Sequence, residues 1–134
     1  MYQNNSSQFA PLTVLLVDDD PALRSAIGSM LGMLGFQTLI VNHGIQAIQL
    51  VLAESPIFHL AISDFKMPHL NGIETLNVLR ALRPGLKSIL CSGHTEQECF
   101  QGLTIEDCVY LGKPFRIQDL AAAVNLALGY PATR

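Results

Sequence analysis

Short apolar runs alternate with longer amphipathic stretches along most of the chain. The first run is continuous in its apolar residues, which is typical of a strand covered on both faces of a sheet, and the other runs are mainly apolar. Each following stretch repeats apolar residues at the spacing of one helix face, although the fourth does so only weakly. The runs predict strands at 14–17, 38–41, 58–63, 87–91 and 109–111, and the stretches predict helices at 23–34, 45–52, 73–82, 95–103 and 117–128.

Five strand–helix repeats predict an α/β fold in which a parallel sheet carries helices on both faces, joined by right-handed crossovers. Ligands of such folds bind beyond the carboxyl ends of the strands, near the point where the strand order reverses. The residues that follow each apolar run are therefore the first place to look for chemistry.

Composition narrows the class of protein. The chain has 134 residues, of which 49% are hydrophobic and 14% charged, and this predicts one compact domain. A net charge of −3 argues against direct binding of nucleic acid. No apolar run is long enough to span a bilayer and residues 1–11 lack the features of a signal peptide, so we expect a cytoplasmic protein without membrane insertion. The polar composition of 1–11 predicts a flexible leader, followed by a domain at 12–129 and a tail at 130–134.

Carboxylates follow two of the predicted strands. Asp64 comes after the third run and precedes a Pro/Gly-containing loop, which places it at the rim of the sheet. Asp18, Asp19 and Asp20 follow the first run. Asp20 precedes Pro21, an arrangement typical of a helix start, because the aspartate side chain accepts amide bonds and proline fits the first helical position. Capping does not account for the other two acids.

Three carboxylates at one edge repel one another unless a cation lies among them, and Mg²⁺ prefers such oxygen ligands. Ser92 follows the fourth run and Lys113 the fifth, so a hydroxyl and an ammonium are expected at the same edge. These groups suit the oxygens of a phosphoryl group, and a carboxylate can act as the nucleophile. We therefore interpret Asp64 as a phosphate acceptor.

Four segments, LLVDDDP, SDFKMPHLNG, LCSG and YLGKPF, resemble in order and spacing the motifs of receiver domains of two-component response regulators. The resemblance extends over residues 13–128. It implies the single-domain, flavodoxin-like (βα)5 fold of the chemotaxis response regulator, a doubly wound parallel five-stranded sheet with strand order 2-1-3-4-5.

The resemblance also implies a function. Asp64 would take a phosphoryl group from a phosphohistidine of a sensor histidine kinase or histidine phosphotransfer protein, with Mg²⁺ or Mn²⁺, and signal to a downstream effector protein. The implied metal ligands are Asp18, Asp19, Asp64 and the backbone carbonyl of Lys66. The domain would not be a conventional enzyme, but it would catalyse its own phosphorylation and slow autodephosphorylation.

Other positions match the switching and phosphate-pairing residues of the family. Ser92 matches the switch hydroxyl, Lys113 the phosphate-pairing lysine and Tyr110 the aromatic residue that changes rotamer. Lys113 precedes Pro114, where the family often has a cis peptide bond. Lys66 and His94 depart from the commonest pattern, and we hypothesise that they tune the lifetime of the phosphoryl group.

Two alternative functions stay open from the sequence. A receiver-like interaction module would keep the fold and work without phosphorylation. An aspartyl-phosphate hydrolase would use a DxD motif at the first strand, a spacing that Asp18 and Asp20 have, but the chain leaves no room for the cap domain that such enzymes need.

Overall fold

The computed structural model describes residues 11–93, 105 and 107–129. The elements are β1 (Thr13–Val17), α1 (Pro21–Met33), β2 (Gln37–Val41), α2 (Gly44–Glu54), β3 (Leu60–Asp64), α3 (Gly72–Leu82), β4 (Lys87–Gly93), β5 (Cys108–Lys113) and α4 (Ile117–Leu128). From β1 to β4 strands and helices alternate, as the sequence pattern predicts, and β5 is again followed by a helix. The helix predicted at 95–103 lies outside the described residues, so α4 is the helix predicted at 117–128.

The five strands form one parallel sheet in the order β2-β1-β3-β4-β5. This order confirms the flavodoxin-like prediction of 2-1-3-4-5. The order reverses at β1, so the crevice that such sheets offer to ligands lies beyond the adjacent carboxyl ends of β1 and β3. Asp18 and Asp64 stand at these two ends.

Two hydrophobic cores lie on opposite faces of the sheet. Leu15 and Val17 of β1 pack in the core that includes residues of α2 and α3. Val14 and Leu16 pack in the core that includes residues of α1 and α4. Because successive side chains of a strand point to opposite faces, burial on both faces requires the continuous apolar run seen in β1.

Three strands extend further than their apolar runs predict. β3 includes Asp64, β4 includes Ser92 and β5 includes Lys113. The predictions ended these strands at Ser63, Cys91 and Leu111, but strand pairing continues further, with Asp64 opposite Cys91 and Ser92 opposite Gly112. The candidate residues therefore project from the sheet itself, which holds them more rigidly than a loop would.

Helix termini follow the local signals. The side chain of Asp20 caps α1 by accepting hydrogen bonds from the amides two and three residues further on, at 3.0 and 3.4 Å, as predicted. Asn71 and Glu74 form a reciprocal capping box at the start of α3. Gly129, with φ of 80°, ends α4 in the left-handed conformation that glycine adopts without strain. Among the described helices, none has both the length and the apolar character needed to cross a membrane.

Candidate functional site

Four strands deliver polar residues to one edge of the sheet. Asp18 directly follows β1, Asp64 is the last residue of β3, Ser92 lies one residue before the end of β4, and Lys113 is the last residue of β5. Parallel strands end at the same edge, so these residues lie around one site, as the sequence predicts.

Asp18, Asp19 and Asp64 form an acidic cluster in which one oxygen from each residue lies within 4.8 Å of the others. Asp18 and Asp64 are 1% and 6% exposed, whereas Asp19 is exposed to solvent. Carboxylates this close repel one another, and burial of two of them reduces the screening by water. The cluster therefore gains free energy from any cation that enters it.

Asp18 is held through its backbone and one carboxylate oxygen. Its N–H donates to the carbonyl of Val41 at 3.2 Å, and its own carbonyl accepts from Nη1 of Arg24 at 2.9 Å. Its Oδ1 accepts from the N–H of Asp20 at 2.9 Å. Oδ2 is buried and has no hydrogen-bond partner among the described residues. A buried, unpaired carboxylate oxygen is costly, so Oδ2 is the atom that a cation would satisfy.

The electrostatics of Asp18 agree with this geometry. Burial raises the pKa of its carboxyl from 3.8 to about 6, and the charge of Asp64 contributes to the rise. The N–H of Asp20 and the ammonium of Lys113 lower the pKa in part. Without a metal ion, the Asp18 carboxyl therefore has a pKa of about 6 and loses its proton at a higher pH than an ordinary aspartate.

Lys113 supplies a cation from the protein itself. Its Nζ lies 2.7 Å from Oδ1 of Asp64, and the side chains of the two residues are 23% and 6% exposed. The Lys113–Pro114 peptide bond is cis, as the family resemblance implies. The ion pair spans β4, because β3 and β5 are its two neighbours in the sheet.

The backbone around Asp64 is also packed closely. The hydroxyl of Ser63 donates to the Asp64 carbonyl at 2.9 Å, and the N–H of Gly72 donates to the Phe65 carbonyl at 2.7 Å. A Cβ at Gly72 would lie 2.2 Å from the Asp64 carbonyl oxygen and 2.6 Å from Leu90 Cδ1. Only glycine lets the first turn of α3 approach the end of β3 this closely.

The remaining predicted residues occupy different settings. Ser92 is buried, one residue beyond the cysteine that pairs with Asp64 in the sheet. Lys66 is exposed in the loop after β3. Tyr110 is 41% exposed on β5. His94 lies outside the described residues, so its predicted role is untested.

Sequence reasoning did not identify Arg24, Ser63 or Gly72 as part of the site. Gly72 was interpreted only as a turn residue, although it begins α3. Arg24 carried a weak signal, since it stands at the end of the first turn of a helix that starts directly after the acidic loop. Its contact with the carbonyl of Asp18 is a tertiary feature that periodicity does not reveal.

The donor set fits a hard divalent cation. All three side chains offer carboxylate oxygens, the ligands that Mg²⁺ and Mn²⁺ prefer, and the buried Oδ2 of Asp18 has no partner among the described residues. The backbone carbonyl of Lys66, in the loop that follows β3, offers a further oxygen two residues after Asp64.

Comparison with known proteins agrees with the predicted family and fold. A family model described as the response regulator receiver domain matches residues 14–125. The transcriptional regulatory protein CpxR of Escherichia coli (strain K12) is 34% identical over 115 residues, which cover 86% of this chain and 48% of CpxR. The sporulation initiation phosphotransferase F of Bacillus subtilis (strain 168) is 28% identical over 113 residues, which cover 84% of this chain and 90% of that protein.

Solved structures show the same architecture. A response regulator receiver protein from Sinorhizobium medicae WSM419 superposes with a TM-score of 0.80 at 27% identity, covering 89% of this chain and 95% of that one. The Vibrio cholerae chemotaxis protein CheY4 has a TM-score of 0.74 at 21% identity, covering 89% of this chain and 100% of that one, which supports the fold alone. The chain spans about half the length of CpxR. With its family model matched over most of its length, the chain belongs to the response regulator receiver domain family.

Proposed function

We propose that this domain is the phosphoacceptor of a two-component system or phosphorelay. Asp64 takes a phosphoryl group from the phosphohistidine of a sensor histidine kinase or a histidine phosphotransfer protein. The observation that carries the proposal is the position of Asp64, buried at a strand end, 2.7 Å from the Lys113 ammonium and within 4.8 Å of two further carboxylates.

The proposed metal ligands are Oδ2 of Asp18, the carboxylates of Asp19 and Asp64, and the backbone carbonyl of Lys66. When bound, Mg²⁺ or Mn²⁺ neutralises charge on the carboxylates and on the phosphoryl oxygens. Oδ1 of Asp18 already accepts from a backbone amide, so Oδ2 is the oxygen of this carboxylate that would bind the ion. The protein then contributes mainly the positions of these oxygens.

The transfer step follows from the groups present. A carboxylate oxygen of Asp64 attacks phosphorus, the O–P bond forms, and the P–N bond to the donor histidine breaks. The electron pair of that bond returns to the imidazole nitrogen. Lys113 exchanges its pairing with Asp64 for an oxygen of the transferred group, and the hydroxyl of Ser92 donates to another.

Autodephosphorylation uses the same residues. Attack of water on the acyl phosphate releases inorganic phosphate and restores the carboxylate of Asp64. Signalling between these two steps is a population shift that involves Ser92 and Tyr110 and is read by a downstream effector protein. The partial exposure of Tyr110 supports a part in this shift, since a side chain at the surface can change rotamer without opening the core.

The two alternative functions are less well supported. Oδ1 of Asp20 accepts two amide bonds at the start of α1, so its carboxylate serves as a helix cap rather than as the second acid of a DxD motif. An interaction module without chemistry would have no need for an unpaired buried oxygen at Asp18.

Labelling with a small phosphodonor tests the proposal. Acetyl phosphate with Mg²⁺ should modify the wild-type protein, and Asp64→Asn should abolish the modification, as measured by intact-protein mass spectrometry. Asp20→Asn is a matched control, since asparagine caps helices about as well as aspartate and should leave labelling unchanged. Labelling of Asp64→Asn at the wild-type level would overturn the assignment.

A further inference from the structure

Arg24 links α1 to the acidic loop. Its backbone N–H donates to the carbonyl of Asp20 at 2.8 Å within the first turn of the helix. Its side chain runs back along the helix, and Nη1 donates to the carbonyl of Asp18 at 2.9 Å in a partly buried contact. One residue thus binds both ends of the segment that carries Asp18 and Asp19.

The bond to Asp18 completes a set of restraints on that residue. The N–H of Asp18 bonds to β2 through Val41, its carbonyl bonds to Arg24, and its Oδ1 bonds to the amide of Asp20. With these three groups fixed, the carboxylate has one orientation, in which Oδ2 is left unpaired among the described residues. Loss of the Arg24 bond would free the peptide plane that follows Asp18.

The restraints on Asp18 matter because repulsion between the carboxylates of the acidic cluster acts to move them apart. Three carboxylates with oxygens within 4.8 Å repel one another, and the loop of Asp18 and Asp19 can relieve the repulsion by moving outward. A site held in its binding geometry before the ion arrives binds it more tightly, because less ordering is left to be done on binding.

We propose that Arg24 is a positioning residue for the divalent cation, acting through the carbonyl of Asp18. The inference rests on the proposed metal-assisted function and adds to it a residue on α1. The role of Arg24 is tested by metal affinity, whereas the proposed function is tested by labelling of Asp64. Either proposal can therefore fail without the other.

The sign of the effect separates this role from simple electrostatics. Removal of a positive charge beside a cation site should strengthen cation binding if charge alone matters. Removal of a positioning residue should weaken it, and substitutions of residues that orient metal ligands typically cost about 10-fold or more in affinity. Arg24→Met removes the charge and the donors and keeps the apolar stem.

The test measures Mn²⁺ and Mg²⁺ binding by isothermal titration calorimetry, together with the rate of acetyl phosphate labelling across Mg²⁺ concentrations. We expect Arg24→Met to raise the Kd about 5- to 10-fold and the Mg²⁺ midpoint of labelling equally, with the rate at saturating Mg²⁺ within about twofold of wild type. Arg24→Lys keeps the charge and a hydrogen-bonding ammonium group. Its Kd should lie between those of wild type and Arg24→Met, about threefold above wild type.

Arg83 provides a matched control. It is also an arginine that donates to a backbone carbonyl, that of Pro56, and it stacks 4.7 Å from the ring centroid of Phe58, away from the carboxylate cluster. Arg83→Met should lower the thermal midpoint of unfolding and leave the metal Kd unchanged. A parallel rise in Kd for Arg83→Met and Arg24→Met would overturn the proposal, because it would reflect general destabilisation.

A Kd for folded Arg24→Met within twofold of wild type, or below it, would also overturn the proposal. If circular dichroism shows that Arg24→Met does not fold, Arg24→Lys decides: a Kd raised threefold or more supports the positioning role, and one within twofold of wild type contradicts it. In either case the proposed function stands if the wild-type protein binds the metal and is labelled by acetyl phosphate.

Discussion

The ammonium of Lys113 lies 2.7 Å from a carboxylate oxygen of Asp64 and is the positive charge that the sheet itself places beside the acidic cluster. The pair joins the ends of β3 and β5 across β4. In the metal-free protein it compensates one of the two buried carboxylates of the cluster. The other, that of Asp18, keeps an unpaired oxygen among the described residues.

Lys113→Met should therefore affect both stability and chemistry. It leaves the buried Asp64 carboxylate without this partner, and we expect a loss of about 1–3 kcal/mol in the free energy of unfolding, below the figure for a fully buried pair because Lys113 is 23% exposed. Acetyl phosphate labelling should fall about 10-fold or more, since the ammonium of Lys113 no longer pairs with the phosphoryl oxygens. Urea unfolding in EDTA and mass spectrometry give the two values.

A double-mutant cycle isolates the interaction. Lys113→Met in an Asp64→Asn background should cost clearly less stability than in wild type, because the amide needs no counter-charge. Equal costs in the two backgrounds would mean that the ion pair contributes nothing, and the destabilisation would then come from lost packing of the lysine stem.

The raised pKa of Asp18 predicts that the free energy of unfolding of the metal-free protein depends on pH. Because burial raises its pKa from 3.8 to about 6, the folded state retains a proton between these pH values that the unfolded chain releases. Stability from this group is therefore greatest at low pH and is lost as the pH rises to about 6, above which the full cost, on the order of 3 kcal/mol, is present.

Asp18→Asn should remove this cost. In EDTA at pH 7.5 we expect its free energy of unfolding to exceed that of wild type by about 1–3 kcal/mol, and the difference should shrink as the pH falls from about 6 toward 4. Urea unfolding at several pH values measures the difference. A constant offset between Asp18→Asn and wild type would contradict the prediction.

The fold and the cluster of candidate site residues could be predicted because they depend on local patterns. Continuous apolar runs identify strands buried on both faces, and in a parallel sheet every polar residue after such a run reaches the same edge. Asp18, Asp64 and Lys113 were found in this way, and the structure brings them together. The ends of β3, β4 and β5 were misplaced, because pairing between these strands continues through polar residues that hydrophobicity treats as loop.

Close contacts between distant elements could not be predicted. A Cβ at Gly44 would lie 2.0 Å from Oγ1 of Thr75, so α2 and α3 meet at a point that neither helix pattern reveals. His43, in a segment interpreted as a turn, caps α2 by accepting from the amide of Gln46 at 3.2 Å. Such features depend on how elements pack, whereas periodicity reports only which face of each element is buried.

Lys66 and His94 are predicted to tune the lifetime of the phosphoryl group. Lys66 is exposed two residues after the acceptor, where its ammonium can pair with phosphoryl oxygens or screen the attacking water. Replacing both residues with alanine should change the dephosphorylation rate of the Asp64 adduct by about 2- to 10-fold, the range of a modest electrostatic effect. Loss of phosphate after removal of the donor measures it.

Lys87→Ala provides a control for net charge, since Lys87 is exposed at the opposite, amino end of β4. It should leave the rate unchanged. An unchanged rate in the Lys66/His94 double variant would remove the tuning hypothesis, and single variants would assign any observed effect to one residue.

Gly72→Ala should disturb the acceptor through its backbone. The added Cβ would meet the Asp64 carbonyl oxygen at 2.2 Å and Leu90 Cδ1 at 2.6 Å, and the carbonyl is a backbone atom that cannot rotate away. The first turn of α3 and the end of β3 must separate. We expect a loss of about 1–3 kcal/mol in the free energy of unfolding, typical of overpacking, and slower labelling of Asp64 in the protein that remains folded.

Gly32→Ala in α1 is the matched control. A Cβ there meets nothing within 4 Å, so alanine should stabilise the helix by about 0.5–1 kcal/mol and leave labelling unchanged. Both substitutions introduce the same methyl group into a helix. Opposite signs of their changes in the free energy of unfolding would therefore isolate the effect of the contact with Asp64. If Gly72→Ala were as stable as wild type and labelled at the same rate, α3 could move away from β3 at no cost, and the close approach would have no part in positioning the acceptor.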